Sequence, residues 1–211
     1  MITSPILGFL IGFLMMSLFY LVLAKVRPRT ISTVFGKGQI LSAAYMGWSH
    51  GSNDAQKTMG IITLALASAT QAGTLEGAPW FLSFLKIGSD SNNVVPVWIK
   101  VTCAIVMAAG TAAGGWKIIQ TMGHKMVKLQ PVHGFAAETT AATVLSVSAS
   151  LGMPVSTTHA ITTSIMGVGC AKRLNALNFS VVHRILWAWV LTIPATAGLA
   201  YLTHRLLVKL L

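Results

Sequence analysis

The sequence predicts an all-α membrane protein: a transmembrane helix bundle with one broken helix and one re-entrant helical hairpin, in a single region over residues 1–211. Three observations carry that prediction. Of the 211 residues 54% are hydrophobic and only 9% charged, against about 25% charged in an ordinary soluble domain, and the mean hydropathy is +0.72. Apolar stretches close to the roughly 20 residues that cross a bilayer as a helix recur along the chain. Two polar clusters interrupt this pattern, Gly51-Ser52-Asn53-Asp54 and Gly152-Met153-Pro154-Val155-Ser156-Thr157-Thr158-His159.

Residues 4–24 form the first span; a basic loop follows directly, with no cleavage pattern, so this stretch is expected to remain as an anchor. Residues 39–70 form a second apolar region that contains the Asn53-Asp54 break, and residues 94–115 form a third span. Two softer segments follow, 131–150 and 155–171, rich in the small residues Ser, Thr, Ala and Gly that suit close helix contact in lipid. Residues 182–202 make the last span. Cys103 and Cys170 fall inside apolar segments, where a thiol packs as a small hydrophobe, so neither a disulfide nor a metal site is expected.

Lysine and arginine set the orientation, because cytoplasmic loops collect them. Lys25, Arg27, Arg29 and Lys37 follow the first span, Lys117, Lys125 and Lys128 follow the third, and Lys172, Arg173 and Arg184 precede the last, ten residues placed inside. The opposite side holds the loop at 72–93 with Glu76, Lys86 and Asp90, together with Lys100, Arg205 and Lys209, four basic residues in all. The net charge of +11 is explained by this topology. Nucleic-acid binding would need a contiguous basic face, and here the basic residues lie between apolar stretches. Charge alone permits either two full crossings or a re-entrant hairpin for the soft segments. Composition favours the hairpin, with its tip near Gly152 to Pro154, since non-helical backbone at membrane depth survives only against protein or a watery cavity.

A carboxylate at membrane depth is costly unless it meets a cation, a proton or a donor, which makes Asp54 a functional candidate. At the first break, unwound backbone carbonyls with Asn53 and Asp54 suit a cation. At the second, a helix restarting at Pro154, a residue preorganised for a helix start, would offer free amides and the hydroxyls of Ser156, Thr157 and Thr158 to an anion. Lys57 lies three residues after Asp54, so on a helix the two share a face and can pair. Broken helices that meet at mid-membrane are the usual binding sites of secondary transporters. A lone serine or threonine in a membrane helix often only bonds the preceding turn; the run of three after Gly-Met-Pro is what carries weight. His50 and His159 read first as hydrogen-bonded packing residues, Glu138 divides between function and structural bonding, and Trp189 belongs with the interfacial aromatics. No nucleophile, base and orienting group share a recognisable spacing, so no enzyme is expected.

At these residues the sequence resembles the inorganic phosphate transporter (PiT) family. Gly51 to Asp54 matches its Gly-Ala/Ser-Asn-Asp signature, Pro154 to His159 with Gly167-Val168-Gly169 matches its Pro-Val-Ser-Thr-Thr-His mark, and Gly134-Phe135 with Glu138 resembles the segment before it. The version with Gln56-Lys57 looks like the downstream copy in bacterial low-affinity members. The resemblance implies two inverted repeats around one phosphate site, of which this chain carries one set of motifs and so looks like the C-terminal half. It implies a multi-pass protein of the cell inner (cytoplasmic) membrane performing phosphate symport. Phosphate contact would fall to Ser156, Thr157 and Thr158 with backbone amides near Gly152 and Val155, and cation or proton coupling to Asn53 and Asp54. Ser52, Gln56, Lys57, Glu138 and His159 are secondary candidates. The coupling ion is H+ or Na+, no further cofactor is expected, and the partner is an N-terminal half or a second copy. A non-transporting remnant, a phosphate-binding or assembly subunit, and a carrier of another oxyanion are the alternatives.

Overall fold

A computed structural model describes residues 3–77, 79–87, 95–120, 129–171, 173 and 177–210. Asp90, Lys125, Lys128 and Lys172, used above for orientation, lie outside the described residues, as does the Lys117 side chain. Among the described residues six α-helices and one short 3-10 turn make up the regular structure: α1 Thr3–Val22, α2 Pro28–Gln71, the turn Trp80–Leu85, α3 Val97–Gln120, α4 Pro131–Ser150, α5 Thr157–Cys170 and α6 Phe179–Leu210. Among the described residues there is no strand. Of the described helices, three are long and apolar enough to cross a membrane: Thr3–Val22, Val97–Trp116 and Phe179–Lys209.

The expected break in the second region is absent. Helix α2 runs through 44 residues without interruption at Gly51-Asp54, roughly 66 Å of helix. The reason is local: the helix itself places His50 and Lys57 four residues before and three after Asp54, the spacings at which side chains meet. Unwinding would remove those partners.

The two soft segments appear as α4 and α5, joined by residues 151–156. Helix α4 starts on Pro131, with Gln130 and His133 capping each other's backbone amides. It stops at Gly152, whose φ of 68° is the left-handed conformation glycine adopts without a Cβ clash. There Gly152 N donates to the Ala149 carbonyl at 3.0 Å and Met153 N to the Ser148 carbonyl at 2.9 Å, the paired closure of a Schellman motif. Helix α5 starts at Thr157, three residues later than the Pro154 start expected above, because Ser156 is the cap: its side chain accepts from His159 N at 3.3 Å.

Helix α1 is buried along one stripe, Ser4, Gly8, Gly12 and Met16, and that stripe lies against α5. A Cβ on Gly8 would come within 2.5 Å of Thr163 Oγ1 and 2.9 Å of the Ala160 carbonyl, and one on Gly12 within 2.7 Å of the Ser164 carbonyl. From the other side, a Cβ on Gly167 would overlap the Phe9 carbonyl. The two backbones are in contact, as small residues allow. Met16, Val132, Ala136, Ala137, Ile165, Met166 and Val168 then form one apolar cluster joining α1, α4 and α5.

Helix α2 packs along α4 through polar pairs, Ser42 with Glu138 and Ser49 with Ser146 at 2.9 Å. Both partners advance together, so α2 and α4 run in the same direction. Because Gly8 meets Ala160, α5 starts level with the N-terminal end of α1, and α4 has the same 20 residues as α1. The hairpin tip therefore reaches the end of α1; the expected meeting point at its middle is not found, since 20 residues of α4 rise about 30 Å. Helix α6 lies at the edge, with none of its apolar window buried.

Gly167→Val is expected to destabilise the fold by about 1–3 kcal/mol, the usual effect of overpacking, read as a lowered unfolding midpoint in detergent. Gly110→Ala, where nothing lies within 4 Å, is expected to leave that midpoint unchanged or slightly raised.

Candidate functional site

Asp54 is the meeting point of α2 and the start of α5. On its own helix Lys57 Nζ donates to Asp54 Oδ1 at 3.0 Å, and His50 Nε2 lies 3.2 Å from Oδ2. From α5, Thr157 Oγ1 donates to Oδ2 at 3.0 Å. Lys57 Nζ also donates to the Val155 carbonyl, so one ammonium ties the carboxylate to the hairpin tip. A carboxylate offers about four acceptor positions, and three are occupied here. The Asp54 and Lys57 side chains keep 29% and 35% of their exposure, which places the pair at the wall of a cleft.

That cleft, about 560 Å³, is lined by Asp54, Lys57 and residues 154–158. Among the described residues the backbone amides of Thr157 and Thr158, in the first turn of α5, have no hydrogen-bond acceptor. They stand where the helix dipole is positive. Ser156 accepts from His159 N through its oxygen, and its hydroxyl proton has no acceptor among the described residues; Thr158 is exposed. Since Lys57 and Asp54 cancel in charge, the amides of α5 leave the cleft with net positive character, suited to an oxyanion. On the other side of Asp54 a second, largely apolar groove of about 490 Å³ runs between α2 and α3, past His50, Thr58, Cys103 and Gly110.

The other sequence candidates divide. Asn53 is buried, 4% exposed, and its Oδ1 has no hydrogen-bond partner among the described residues, an acceptor left over for a cation or a donor. Ser52 is half-buried beside it, whereas Gln56 is exposed on the outer face of α2. The amide of Gly152 does not face the cleft as an anion donor; it closes α4, which is what its left-handed φ achieves. Val155 contributes its carbonyl, as acceptor for Lys57, and its side chain is buried. Thr157 points its hydroxyl at Asp54.

Glu138 does not join the cluster. It accepts from Ser42, 12 residues before Asp54 on α2, and from Gln39 one turn earlier, so its partners lie about 18 Å or more along the helix from Asp54. His159 lies with its ring centroid 3.9 Å from that of Trp189, and its buried Nδ1 has no hydrogen-bond partner among the described residues. One contributor escapes the sequence expectation: His50 reads there as a packing residue, although its spacing of four from Asp54 is a legible signal. No group of three or more His, Cys, Asp or Glu that could hold a metal ion exists among the described residues.

Residues 23–200 match the sequence profile of the Phosphate transporter family. The chain is 37% identical over 207 residues to a protein of Bacillus subtilis (strain 168) named as a probable low-affinity inorganic phosphate transporter, covering 98% of this chain and 57% of that one. It is 38% identical over 203 residues to the protein of that name in Rhizobium meliloti (strain 1021), covering 96% and 56%. The chain thus spans about half the length of these curated relatives. Among solved structures it is similar to "The sodium-dependent phosphate transporter", with a TM-score of 0.68 at 21% identity, covering 92% of this chain and 61% of that one. At that identity the likeness establishes the fold.

A double-mutant cycle on Asp54→Asn and Thr157→Val, read by unfolding in detergent, is expected to return a coupling of about 1 kcal/mol, the net worth of a hydrogen bond. The same cycle between Asp54→Asn and Glu138→Gln is expected to be additive, because the two sites share no partner.

Proposed function

This chain belongs to the phosphate transporter family, and from that membership we propose that it is one half of a symporter for inorganic phosphate in the cytoplasmic membrane. Proteins of the family are transporters and not enzymes. The observation that carries the proposal is the open cleft where the free first-turn amides of α5 stand beside the Lys57 ammonium. Phosphate is held there by the amides of Thr157 and Thr158 and the hydroxyls of Ser156 and Thr158, with Lys57 as the nearby cation.

Asp54 positions this apparatus. It fixes Lys57 on one side and Thr157 on the other, so the anion site exists only while α2 and the hairpin tip stay together. The coupling cation, H+ or Na+, is assigned to Asn53 and Asp54. The orphaned acceptor of Asn53 supports this, as a buried carbonyl oxygen without a donor suits a cation. The other half of an inverted-repeat pair closes the cleft, and transport proceeds by alternating access around the fixed site.

A second reading is a phosphate-binding or assembly subunit without flux of its own. Sulfate is distinguished from phosphate by protonation, since phosphate still carries a proton near neutral pH and can donate it to a carboxylate.

Uptake of labelled phosphate into cells lacking their own transporters, with an N-terminal half supplied, tests the proposal. Lys57→Met and Thr157→Val are expected to lower uptake roughly tenfold each, and Asp54→Ala combined with Ser156→Ala to abolish it; undiminished uptake in that double variant removes the site assignment. Asn53→Ala is expected to weaken the dependence of uptake on the sodium or proton gradient. Binding of phosphate with no flux in any pairing of halves selects the assembly reading.

A further inference from the structure

At the opposite end of α1 from the cleft lies a half-open cavity of about 420 Å³, lined by the end of α1 and the starts of α2 and α4. Its walls are largely apolar and include Phe19, Leu23, Ile31, Pro131 and Val132. Lining residues Ala24 and Pro28 bracket the connection that carries Lys25 and Arg27, and Arg29 follows at once; all three basic residues are exposed. No aspartate or glutamate occurs before Asp54 in the sequence, so nothing nearby on this end of α1 and α2 neutralises them. The start of α2 has no side-chain cap and begins on Pro28, which leaves its positive end facing the same region.

One polar wall adds a specific donor. His133 Nδ1 accepts from Gln130 N at 3.1 Å, which places the ring proton on Nε2, 3.0 Å from the Tyr20 oxygen. The Tyr20 hydroxyl therefore accepts from His133, and its own proton has no acceptor among the described residues. A cavity with an apolar interior, a free hydroxyl donor and a triplet of unneutralised cations at its mouth has the chemistry of one class of molecule present in every bilayer.

We propose that this cavity seats an anionic glycerophospholipid. One acyl chain fills the space between α1, α2 and α4. The headgroup phosphate lies at Lys25, Arg27 and Arg29, and an ester or phosphate oxygen takes the Tyr20 proton. The basic connection is the side that lysine and arginine counts place in the cytoplasm, where anionic headgroups attract juxtamembrane cations. The site is separate from the phosphate cleft.

Native mass spectrometry of the purified chain, released from neutral detergent with phosphatidylglycerol or phosphatidylcholine, tests this. The chain is expected to retain phosphatidylglycerol about tenfold better than phosphatidylcholine, and the triple variant Lys25→Gln, Arg27→Gln, Arg29→Gln to lose that preference. Ser32→Trp, which fills the cavity, is expected to lower retention of both lipids, and Tyr20→Phe, which removes only the hydroxyl, to weaken it by a few-fold. Equal retention of the two lipids, a preference that survives the triple variant, or retention unmoved by Ser32→Trp overturns the proposal. Displacement of the lipid by inorganic phosphate also overturns it, in favour of a bare anion site. A dimer that forms in place of the lipid adduct and is abolished by Ser32→Trp assigns the cavity to a second copy.

Discussion

Backbone contact between α1 and α5 holds the remaining elements in place. In lipid there is no gain from burying one apolar helix against another, so helices associate by close packing and by polar contacts. Gly8 and Gly12 from one side and Gly167 from the other remove the side chains that would keep these helices apart. Helix α5 is short, and its direction is fixed by that contact and by the cluster that includes Met16, Val132 and Val168. Its first turn is thereby aimed at α2, where a carboxylate is waiting.

Two carboxylates sit at the contacts of α2 with its neighbours, Asp54 and Glu138, and they are held differently. Asp54 has an ammonium, an imidazole and a hydroxyl around it, the environment of a charge held in place. Glu138 meets the Ser42 hydroxyl within the α2 and α4 interface, with no ion pair to a cation among the described residues. The first arrangement makes a junction between elements, because Lys57 reaches both Asp54 and the Val155 carbonyl. Any motion that carries the hairpin tip away from α2 must break that ammonium bridge, so the junction and the cleft beside it open together.

The fold was legible wherever the signal was local. Segment 131–150 is α4 to the residue, because Pro131 suits a helix start and Gly152 supplies the left-handed stop. The pairing of Asp54 with Lys57 followed from a spacing of three. The same local reasoning failed at Gly51-Ser52-Asn53-Asp54, where a polar run in an apolar region suggested unwound backbone. Polar groups in an apolar setting require partners, and helical spacing supplied them without any break. Gly152 was read as an amide facing an anion, yet the same glycine also has a helix to terminate, and that demand was met first.

By itself the sequence determined that this is a membrane helix protein and where three of its six described helices, α1, α4 and α5, begin and end to within two residues, whereas α2 starts eleven residues before the expected apolar region. Composition, apolar length and capping residues act over a few neighbours, and a one-dimensional string records them in full. Tertiary structure alone decided that Thr157, 103 residues away, donates to Asp54, that Val155 offers its carbonyl to Lys57, and that Glu138 stands apart. Those outcomes depend on how the α4 and α5 hairpin is turned against α1 and α2, a rotation set by glycine contacts between distant segments that no spacing within one segment encodes.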